Sequence, residues 1–327
     1  MLTLSFSRTF WFIGLNCEDM PTHALLGATG STGSAVLRAI LGYYQRGEKP
    51  EVKAEEPLIL NIFVRNEAKF RSMFPDLPIS STTTSIRTTS TSSSYPTTTT
   101  ASSFECLKIH LFTGPLSNPS LLTSCLKPAS VIYNCIGTNS LRANENLETS
   151  TAACIIAALQ TRHHHQQRGS PPPPILLWNR TIGLNPQIHN PVPAFLEVFL
   201  EWAVGWALED MRSAQKVYEA AVQEGSLRLI CIDAPKLFDP SGEQKTGYEL
   251  VREGSVRTGL YYGDLGDAMV EVGMRREGEV LRDGDGRVAA VGVGAKGKVR
   301  VNLFVVMGSV LALLGRGIMV RVFGVYL

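Results

Sequence analysis

The segment Leu25–Leu37, LLGATGSTGSAVL, is an apolar run that breaks into a glycine-rich turn and then takes on helical periodicity. We predict a strand that ends at Leu26 and a helix that starts near Ser31. The first amides of such a helix, together with the positive end of its dipole, form a site for anions. The segment therefore predicts a binding site for the phosphates of a nucleotide.

The three glycines of this segment have different predicted roles. Gly27 provides a tight turn, Gly30 lets the main chain approach a pyrophosphate, and Gly33 allows close packing of the helix on the sheet. The spacing G-x-x-G-x-x-G differs from the commonest dinucleotide fingerprint, G-x-G-x-x-G, and a strand, turn and helix without a ligand is the alternative interpretation. Hydroxyl donors to the phosphates are predicted from Thr29, Ser31 and Thr32.

The composition is that of a globular protein. The chain has 327 residues, of which 44% are apolar, enough for a substantial core. Its 31 basic and 29 acidic residues give a net charge of +2, which argues against a nucleic-acid partner. The 6 cysteines form no C-x-x-C pair, so we expect a reducing, cytoplasmic location and no metal site.

Strand-like and helix-like segments alternate after the glycine turn. This alternation predicts an α/β fold, a Rossmann-like doubly wound parallel sheet with helices on both faces and a small C-terminal substrate-side region. The further predicted strands are 58–64, 107–112, a run that begins at 130, 175–181 and 227–232, and the predicted helices after the first are 121–126, 147–159 and 210–222.

We predict a dinucleotide-binding domain over residues 20–275, flanked by two terminal segments. Residues 1–19 lack the basic start and cleavage site of a secretory signal, so we expect an extension outside the fold, with Met20 as the functional start. Residues 276–327 form an apolar tail. Its uninterrupted part, 301–315, is shorter than the ~20 residues of a membrane span. A buried helix or homodimer contact is expected, and a surface-lying membrane anchor over 301–327 is the alternative.

Two segments of biased composition interrupt the predicted domain. Residues 80–103 are almost wholly serine and threonine, which predicts a disordered surface insertion. Residues 163–174 contain three adjacent histidines and a proline run. Adjacent histidines do not converge on a metal as helical i, i+4 pairs do, so a solvated loop is expected there.

Residues after the second and fourth strands bear on the type of nucleotide. The end of the second strand of a dinucleotide fold faces the adenosine ribose, and an arginine there accommodates a 2′-phosphate. Arg65 at this position predicts NADP rather than NAD, with a solvated basic turn as the alternative. Because ligands bind beyond the carboxyl ends of parallel strands, Asn134, Gly137 and Thr138 are predicted beside the cofactor.

The glycine turn, Arg65 and Asn134–Gly137 together resemble the short-chain dehydrogenase/reductase superfamily, in its NmrA-like branch. Within that branch, Asp210–Tyr218 and Gly263–Gly273 resemble the fungal averufin-oxidase-like proteins of polyketide pathways. The resemblance covers about residues 22–275. It implies an NADP-linked oxidoreductase that acts on an aromatic polyketide intermediate.

The chain departs from the superfamily at the expected catalytic residues. Reductases of the superfamily use a tyrosine four residues before a lysine, which lowers the pKa of the phenol. Lys216 matches the lysine, but Arg212 stands four residues earlier, and no Y-x-x-x-K occurs in the sequence. Thr181 stands where a serine is expected after the fifth strand. Lys216 and Thr181 are therefore the candidate catalytic residues, and an exposed helical lysine is the alternative for Lys216.

Three hypotheses of function follow from these residues. The enzyme hypothesis places a planar, apolar substrate in a pocket built by residues 182–262. The second hypothesis is a non-enzymatic NADP(H)-binding redox sensor of the NmrA-like type, which the missing tyrosine favours. A third is a catalytically inactive gene product, with 80–103 as a retained intron. The aromatic pocket walls expected for an enzyme are Phe195, Trp202, Trp206, Phe238, Tyr248, Tyr261 and Tyr262.

Overall fold

A computed structural model describes residues 20–46, 57–77, 79, 106–137, 146–163, 172–185, 187–189, 208–256, 259–275, 288–299 and 315. The predicted N-terminal extension and the serine/threonine insertion lie outside these residues, as does nearly all of the tail after 299. The interpretations given for those segments stay predictions.

The strands of the described residues are β1 (Thr22–Leu26), β2 (Leu58–Val64), β3 (Leu107–Thr113), β4 (Val131–Asn134), β5 (Ile175–Thr181), β6 (Ile188–His189), β7 (Arg228–Ala234), β8 (Lys236–Phe238), β9 (Tyr248–Val251), β10 (Gly254–Ser255), β11 (Gly259–Tyr261) and β12 (Val288–Ala295). Eight of them form one sheet in the order β3-β2-β1-β4-β5-β7-β12-β9. All neighbouring pairs of this sheet are parallel except β12 with β9. The order reverses between β1 and β4, as in a doubly wound fold, so the predicted fold class is confirmed.

Helices cover both faces of this sheet. The first, second and sixth share one apolar core with the sheet, and the third, fourth and fifth share another. Strands buried on both faces need continuous apolar sequence. In β1, Leu25 faces the first core, and Ala24 and Leu26 face the second. The helices are α1 (Ser31–Arg46), α2 (Glu67–Met73), α3 (Pro119–Leu126), α4 (Leu147–His163), α5 (Glu209–Gln223) and α6 (Tyr262–Met274).

Close packing of α6 depends on its glycines. A Cβ on Gly266 would lie 2.6 Å from the backbone carbonyl of Ala35 in α1, and a Cβ on Gly273 would lie 2.3 Å from the hydroxyl of Tyr133 in β4. The segment 263–273 therefore contains the face through which α6 contacts α1 and the sheet. The residues that carried part of the family resemblance have a structural role.

The structure contains elements that the sequence analysis did not predict. No helix was predicted directly after β2, but α2 starts at Glu67, with Asn66 as its N-cap accepting a hydrogen bond from the Lys69 amide at 2.9 Å. The strand β12 pairs with β7 and lies beyond residue 275, where the predicted domain ends. Its Gly/Val composition has no clear periodicity, so no strand was predicted there.

Smaller differences concern element ends. Helix α4 continues to His163, so the first residue of the predicted loop 163–174 belongs to the helix. Strand β7 runs to Ala234, two residues past its predicted end.

Among the described residues, none of the helices combines the length and the apolarity that a bilayer span requires.

We expect Gly266→Ala to lower the free energy of unfolding by about 2 kcal/mol, because the added methyl meets main chain of α1 that cannot rotate away. Urea denaturation measures this change. Gly183→Ala is the matched control, since a Cβ there meets nothing within 4 Å. Equal denaturation midpoints for the two variants would contradict the packing argument.

Candidate functional site

The turn between β1 and α1 is built on Gly27. This residue has a φ of +82°, which side-chain-bearing residues rarely adopt, and its carbonyl accepts a hydrogen bond from the Gly30 amide at 2.9 Å. A Cβ on Gly27 would also lie 2.9 Å from the carbonyl oxygen of Cys135, just after β4. The turn and the end of β4 are therefore in contact at the point where the strand order reverses.

Gly33 and Gly30 differ in what surrounds them. A Cβ on Gly33 would lie 2.1 Å from the Gly27 carbonyl oxygen, so the fold itself requires glycine there. A Cβ on Gly30 would meet only that same oxygen, at an ordinary 3.4 Å, and Gly30 is exposed. Packing within the protein thus explains two of the three glycines and leaves the third free to accommodate a ligand.

The first turn of α1 offers donors beside Gly30. Helical hydrogen bonding begins with the Ser34 amide, which donates to the Gly30 carbonyl at 2.8 Å. The amides of Ser31, Thr32 and Gly33 have no hydrogen-bond acceptor in the described part of the chain. No acidic residue lies in this turn, so its positive electrostatic potential is not cancelled locally. The side chains that carry hydroxyls, Thr29, Ser31 and Thr32, are partly exposed.

The end of β4 is shaped by a buried asparagine. Asn134 Oδ1 accepts from the Ile136 amide at 3.2 Å, and Nδ2 donates to the Tyr218 hydroxyl at 2.9 Å. Both ends of its amide group therefore bind protein, which fixes the path of the chain past Cys135. Gly137 follows on this path, whereas Thr138 lies outside the described residues.

Arg65 lies directly after β2, the neighbour of β1 on the side away from β4. Leu26, the last residue of β1, is paired with Phe63 of β2. Arg65 follows Phe63 by two residues and therefore lies beyond the end of β1, on the side of the glycine turn. Its side chain is exposed, as is that of Lys69. Glu67, the acid between them, binds Arg71 at 2.7 Å. The carboxyl end of β2 is therefore basic.

The two candidate catalytic residues lie on different faces of the sheet. Thr181 ends β5 half-buried, on the same strand face as Leu177, which packs in the core with α1 and α6. Lys216 is exposed on α5, which covers the opposite face. No hydrogen bond joins them. The predicted roles of both residues stay predictions.

Of the predicted aromatic pocket walls, three lie outside the described residues: Phe195, Trp202 and Trp206. Tyr261 and Tyr262 are buried. Phe238 is half-buried in β8, and Tyr248 donates its hydroxyl to Glu271 on α6. Tyr248 therefore takes part in the contact between the sheet edge and that helix.

A buried ion pair, which the sequence analysis missed, joins the ends of β5 and β7. Arg180 donates through Nε and Nη2 to both carboxylate oxygens of Asp233, and through Nη1 to Gln215 at 2.8 Å. Asn185 Nδ2 donates to the same carboxylate at 2.6 Å. The pair is in register across the sheet, and each of the two residues is the next to last of its strand. It ties the chain that leaves β5 to β7.

A second missed feature is the buried acid Glu148, the second residue of α4. Its side chain accepts a hydrogen bond from Trp178 Nε1 at 3.4 Å, and its Oε1 lies 2.8 Å from where a Cβ on Gly137 would be. Burial, with a smaller contribution from the Asp210 carboxylate, raises the pKa of Glu148 to about 7. The sequence signal was a lone acid at the start of an alanine-rich apolar helix.

The N-terminus of α4 is capped by a residue of α5. The Asp210 carboxylate accepts from the amides of Glu148 at 2.8 Å and Thr149 at 3.0 Å, and from the Thr149 hydroxyl at 2.6 Å. These charge-assisted bonds satisfy amides that have no partner within the helix. Asp210 therefore fixes α4 against α5 directly above Glu148.

In the described ranges, no three His, Cys, Asp or Glu side chains are arranged so that they could bind one metal ion. The cysteines in these ranges are unpaired, and burial raises the pKa of the Cys231 thiol to about 12. This thiol is therefore not a nucleophile at neutral pH.

Comparison with known proteins shows the family of the chain. The chain is 33% identical over 281 residues to averufin oxidase A of Aspergillus flavus, covering 86% of this chain and 85% of the relative. It is 33% identical over 302 residues to averufin oxidase stcO of Emericella nidulans, covering 89% and 88%. The chain belongs to the averufin oxidase family. The resemblance predicted from the sequence is thereby confirmed, and the family consists of oxidoreductases.

Other comparisons are more distant or negative. Oxidoreductase claK of Passalora fulva is 25% identical to this chain over 265 residues, covering 80% of this chain and 81% of the relative. A short-chain dehydrogenase/reductase of Veillonella parvula, solved in complex with NADP, shares 17% identity and a TM-score of 0.49, covering 85% of this chain and 95% of that one. No protein-family model matches the chain.

The raised pKa of Glu148 predicts a pH-dependent stability. The protonated acid is favoured in the folded chain, so the wild type loses stability as pH rises from about 4.5 towards about 7. Glu148→Gln cannot ionise. Its free energy of unfolding relative to wild type should therefore be higher at pH 8 than at pH 4.5 by up to about 3 kcal/mol.

Urea denaturation at both pH values measures this difference. Glu209→Gln, which removes an exposed carboxyl from the same neighbourhood, should show no such pH-dependent change. A constant difference between Glu148→Gln and wild type across this range would mean that Glu148 ionises normally.

Proposed function

We propose that the chain is an NADP(H)-dependent oxidoreductase that acts on an aromatic polyketide intermediate of fungal secondary metabolism. The observation that carries the proposal is the room at Gly30 beside the amides of α1. Of the three glycines, only this one is not required by the protein's own packing. Relatives named averufin oxidase support the same reaction class.

The residues of the glycine turn fit the diphosphate of a dinucleotide. The amides of Ser31, Thr32 and Gly33 would bind the phosphate oxygens, and the partly exposed hydroxyls of Thr29 and Ser31 would add donors. Gly27 keeps the end of β4 against the turn. The bound dinucleotide would supply hydride transfer, and the protein would bind, orient and exclude water.

The basic end of β2 favours a 2′-phosphorylated dinucleotide. Arg65 is exposed and can bind a phosphate through two parallel N–H groups. Lys69 adds a second exposed cation, and the acid that would suit a free ribose hydroxyl, Glu67, is engaged with Arg71. We therefore infer NADP rather than NAD.

The substrate would bind at the ends of β5 and β7. The buried pair of Arg180 and Asp233 fixes this edge, and Thr181 presents a hydroxyl there that caps no helix. We assign to Thr181 a hydrogen bond to the substrate oxygen and to Lys216 a contact with the cofactor. Averufin and related aromatic ketones are the first substrates to test.

The activity assay combines the protein with NADPH or NADP⁺ and a panel of averufin and anthraquinones, and follows the nicotinamide absorbance band. Calorimetry measures dinucleotide binding separately. Turnover supports the enzyme. Tight binding without turnover across the panel would instead indicate the redox sensor, and no binding of either dinucleotide at millimolar concentration would refute both.

We expect Gly30→Val to weaken NADP(H) binding by about 100-fold or more, because a branched side chain occupies the space through which the phosphates approach. Calorimetric titration gives the dissociation constants. Gly315→Val is the control, since Gly315 is exposed and a Cβ there meets nothing within 4 Å. Unweakened binding by folded Gly30→Val protein would place the phosphates elsewhere.

We expect Arg65→Glu to reverse the preference between NADP and NAD, because a carboxylate repels the 2′-phosphate and accepts a hydrogen bond from a free hydroxyl. Competition binding of the two dinucleotides reports the ratio of affinities. Lys127→Glu makes the same change of charge at the exposed end of α3 and should leave that ratio unchanged. An unaltered ratio in Arg65→Glu removes Arg65 from the site.

A further inference from the structure

The position of Glu148 is not explained by the needs of its helix. An acid in the first turn of a helix is usually placed to interact with the free amides there. In α4 that role belongs to Asp210, which binds the amides of Glu148 and Thr149 from α5. The Glu148 side chain instead turns inward, and the residue is only 7% exposed.

Burial of Glu148 is weakly compensated. Its side-chain partner among the described residues is Trp178 Nε1, at 3.4 Å. The buried cation on the same side of the sheet, Arg180, is already bound to Asp233 and Gln215. A buried carboxyl with one long hydrogen bond lowers stability, and such groups are concentrated at functional sites.

Among the described residues, the groups that face Glu148 come from three parts of the chain. Helix α5 contributes the charged Asp210 and the phenol Tyr218, β5 contributes the neutral Trp178, and the chain after β4 contributes Gly137. One turn along α4, Thr151 is 1% exposed, and its hydroxyl has no hydrogen-bond partner in the described part of the chain. Of these described groups, only Asp210 carries a charge, and its negative sign favours the protonated acid.

This carboxyl lies at the edge of the sheet where the reaction would occur. Oε1 of Glu148 is next to Gly137, in the segment that follows β4. Cys135, the first residue of that segment, contacts the glycine turn. Trp178 is paired with Asn134, the last residue of β4. An acid beside the segment that follows β4, one of the two strands at the switch point, is within the region that ligands occupy in this fold.

We propose that Glu148 is the catalytic residue that exchanges the proton in the oxidoreductase reaction. The inference rests on the proposed function. In the direction of alcohol oxidation, the C–H bond of the carbinol carbon breaks and its two electrons pass as hydride to the oxidised nicotinamide. The O–H bond breaks, and its proton passes to Oε1 of the Glu148 carboxylate and then to water. The products are a ketone, the reduced dinucleotide and one proton, and reduction runs the same step backwards.

The pKa of about 7 suits this role. A general acid or base works best when its pKa lies near the operating pH, because both forms are then available. We expect the rate of oxidation to rise with pH through this value, as the carboxylate forms. The rate of reduction should fall over the same range.

The test compares Glu148→Gln with wild type and with Glu209→Gln, an exposed carboxyl near the start of α5. We expect Glu148→Gln to lower kcat by about 100-fold or more and to remove the pH-dependent limb, while NADP binding by calorimetry is unchanged. Glu209→Gln should match wild type. The second readout needs no turnover: the infrared carbonyl band of a protonated carboxyl, taken as the difference between wild type and Glu148→Gln, should titrate with a midpoint near 7.

Two results would overturn the inference while leaving the proposed function intact. One is a wild-type enzyme that turns over, with Glu148→Gln retaining the wild-type kcat and pH profile. The other is the absence, between pH 5 and 8, of a protonated-carboxyl infrared band that wild type shows and Glu148→Gln lacks; this measurement needs folded protein but no turnover by either variant. Failure of wild type to bind NADP(H) would instead refute the proposed function itself.

Discussion

The close approach of α1 to the carbonyl of Gly27 is the constraint on which the rest of the site depends. Because Gly33 has no Cβ, the first turn of the helix can lie against that carbonyl, where a methyl would be 2.1 Å away. The chain past β4 closes on the turn from the other side through Cys135. Gly266 lets α6 hold α1 in place. The direction in which the free amides point is thus set by backbone packing and not by adaptable side chains.

Polar residues at the carboxyl edge of the sheet mostly bind one another. Asn134 is held by Tyr218 and by the Ile136 amide, and Arg180 is held by Asp233. A preorganised edge of this kind keeps reacting groups in position without reorganisation during the reaction. The groups left uncommitted, rather than the groups merely present, are therefore the informative ones for function.

The sequence predicted those parts of the fold that local pattern specifies. Strand β5 matched its predicted bounds because an apolar run ended at a polar residue, and the turn before α1 matched because its glycines occur in context. Strand β12 is specified by pairing with β7, which local pattern does not reveal. Glu148 was missed for the same reason: Asp210, which caps the start of its helix, is 62 residues away in sequence.

Desolvation raises the pKa of two neighbouring acids, Tyr218 and Glu148, with opposite consequences for proton transfer at neutral pH. Burial raises the pKa of the Tyr218 phenol further above neutrality, so this tyrosine stays protonated and hydrogen-bonded to Asn134. The same effect raises the pKa of the Glu148 carboxyl from 4.5 to about 7, into the range where a proton is readily gained and lost. A carboxyl acid needs no neighbouring cation to bring its pKa towards neutrality, because desolvation raises this pKa from below. For Glu148, burial makes the largest contribution to the raised pKa, and the neighbouring Asp210 carboxylate adds to it.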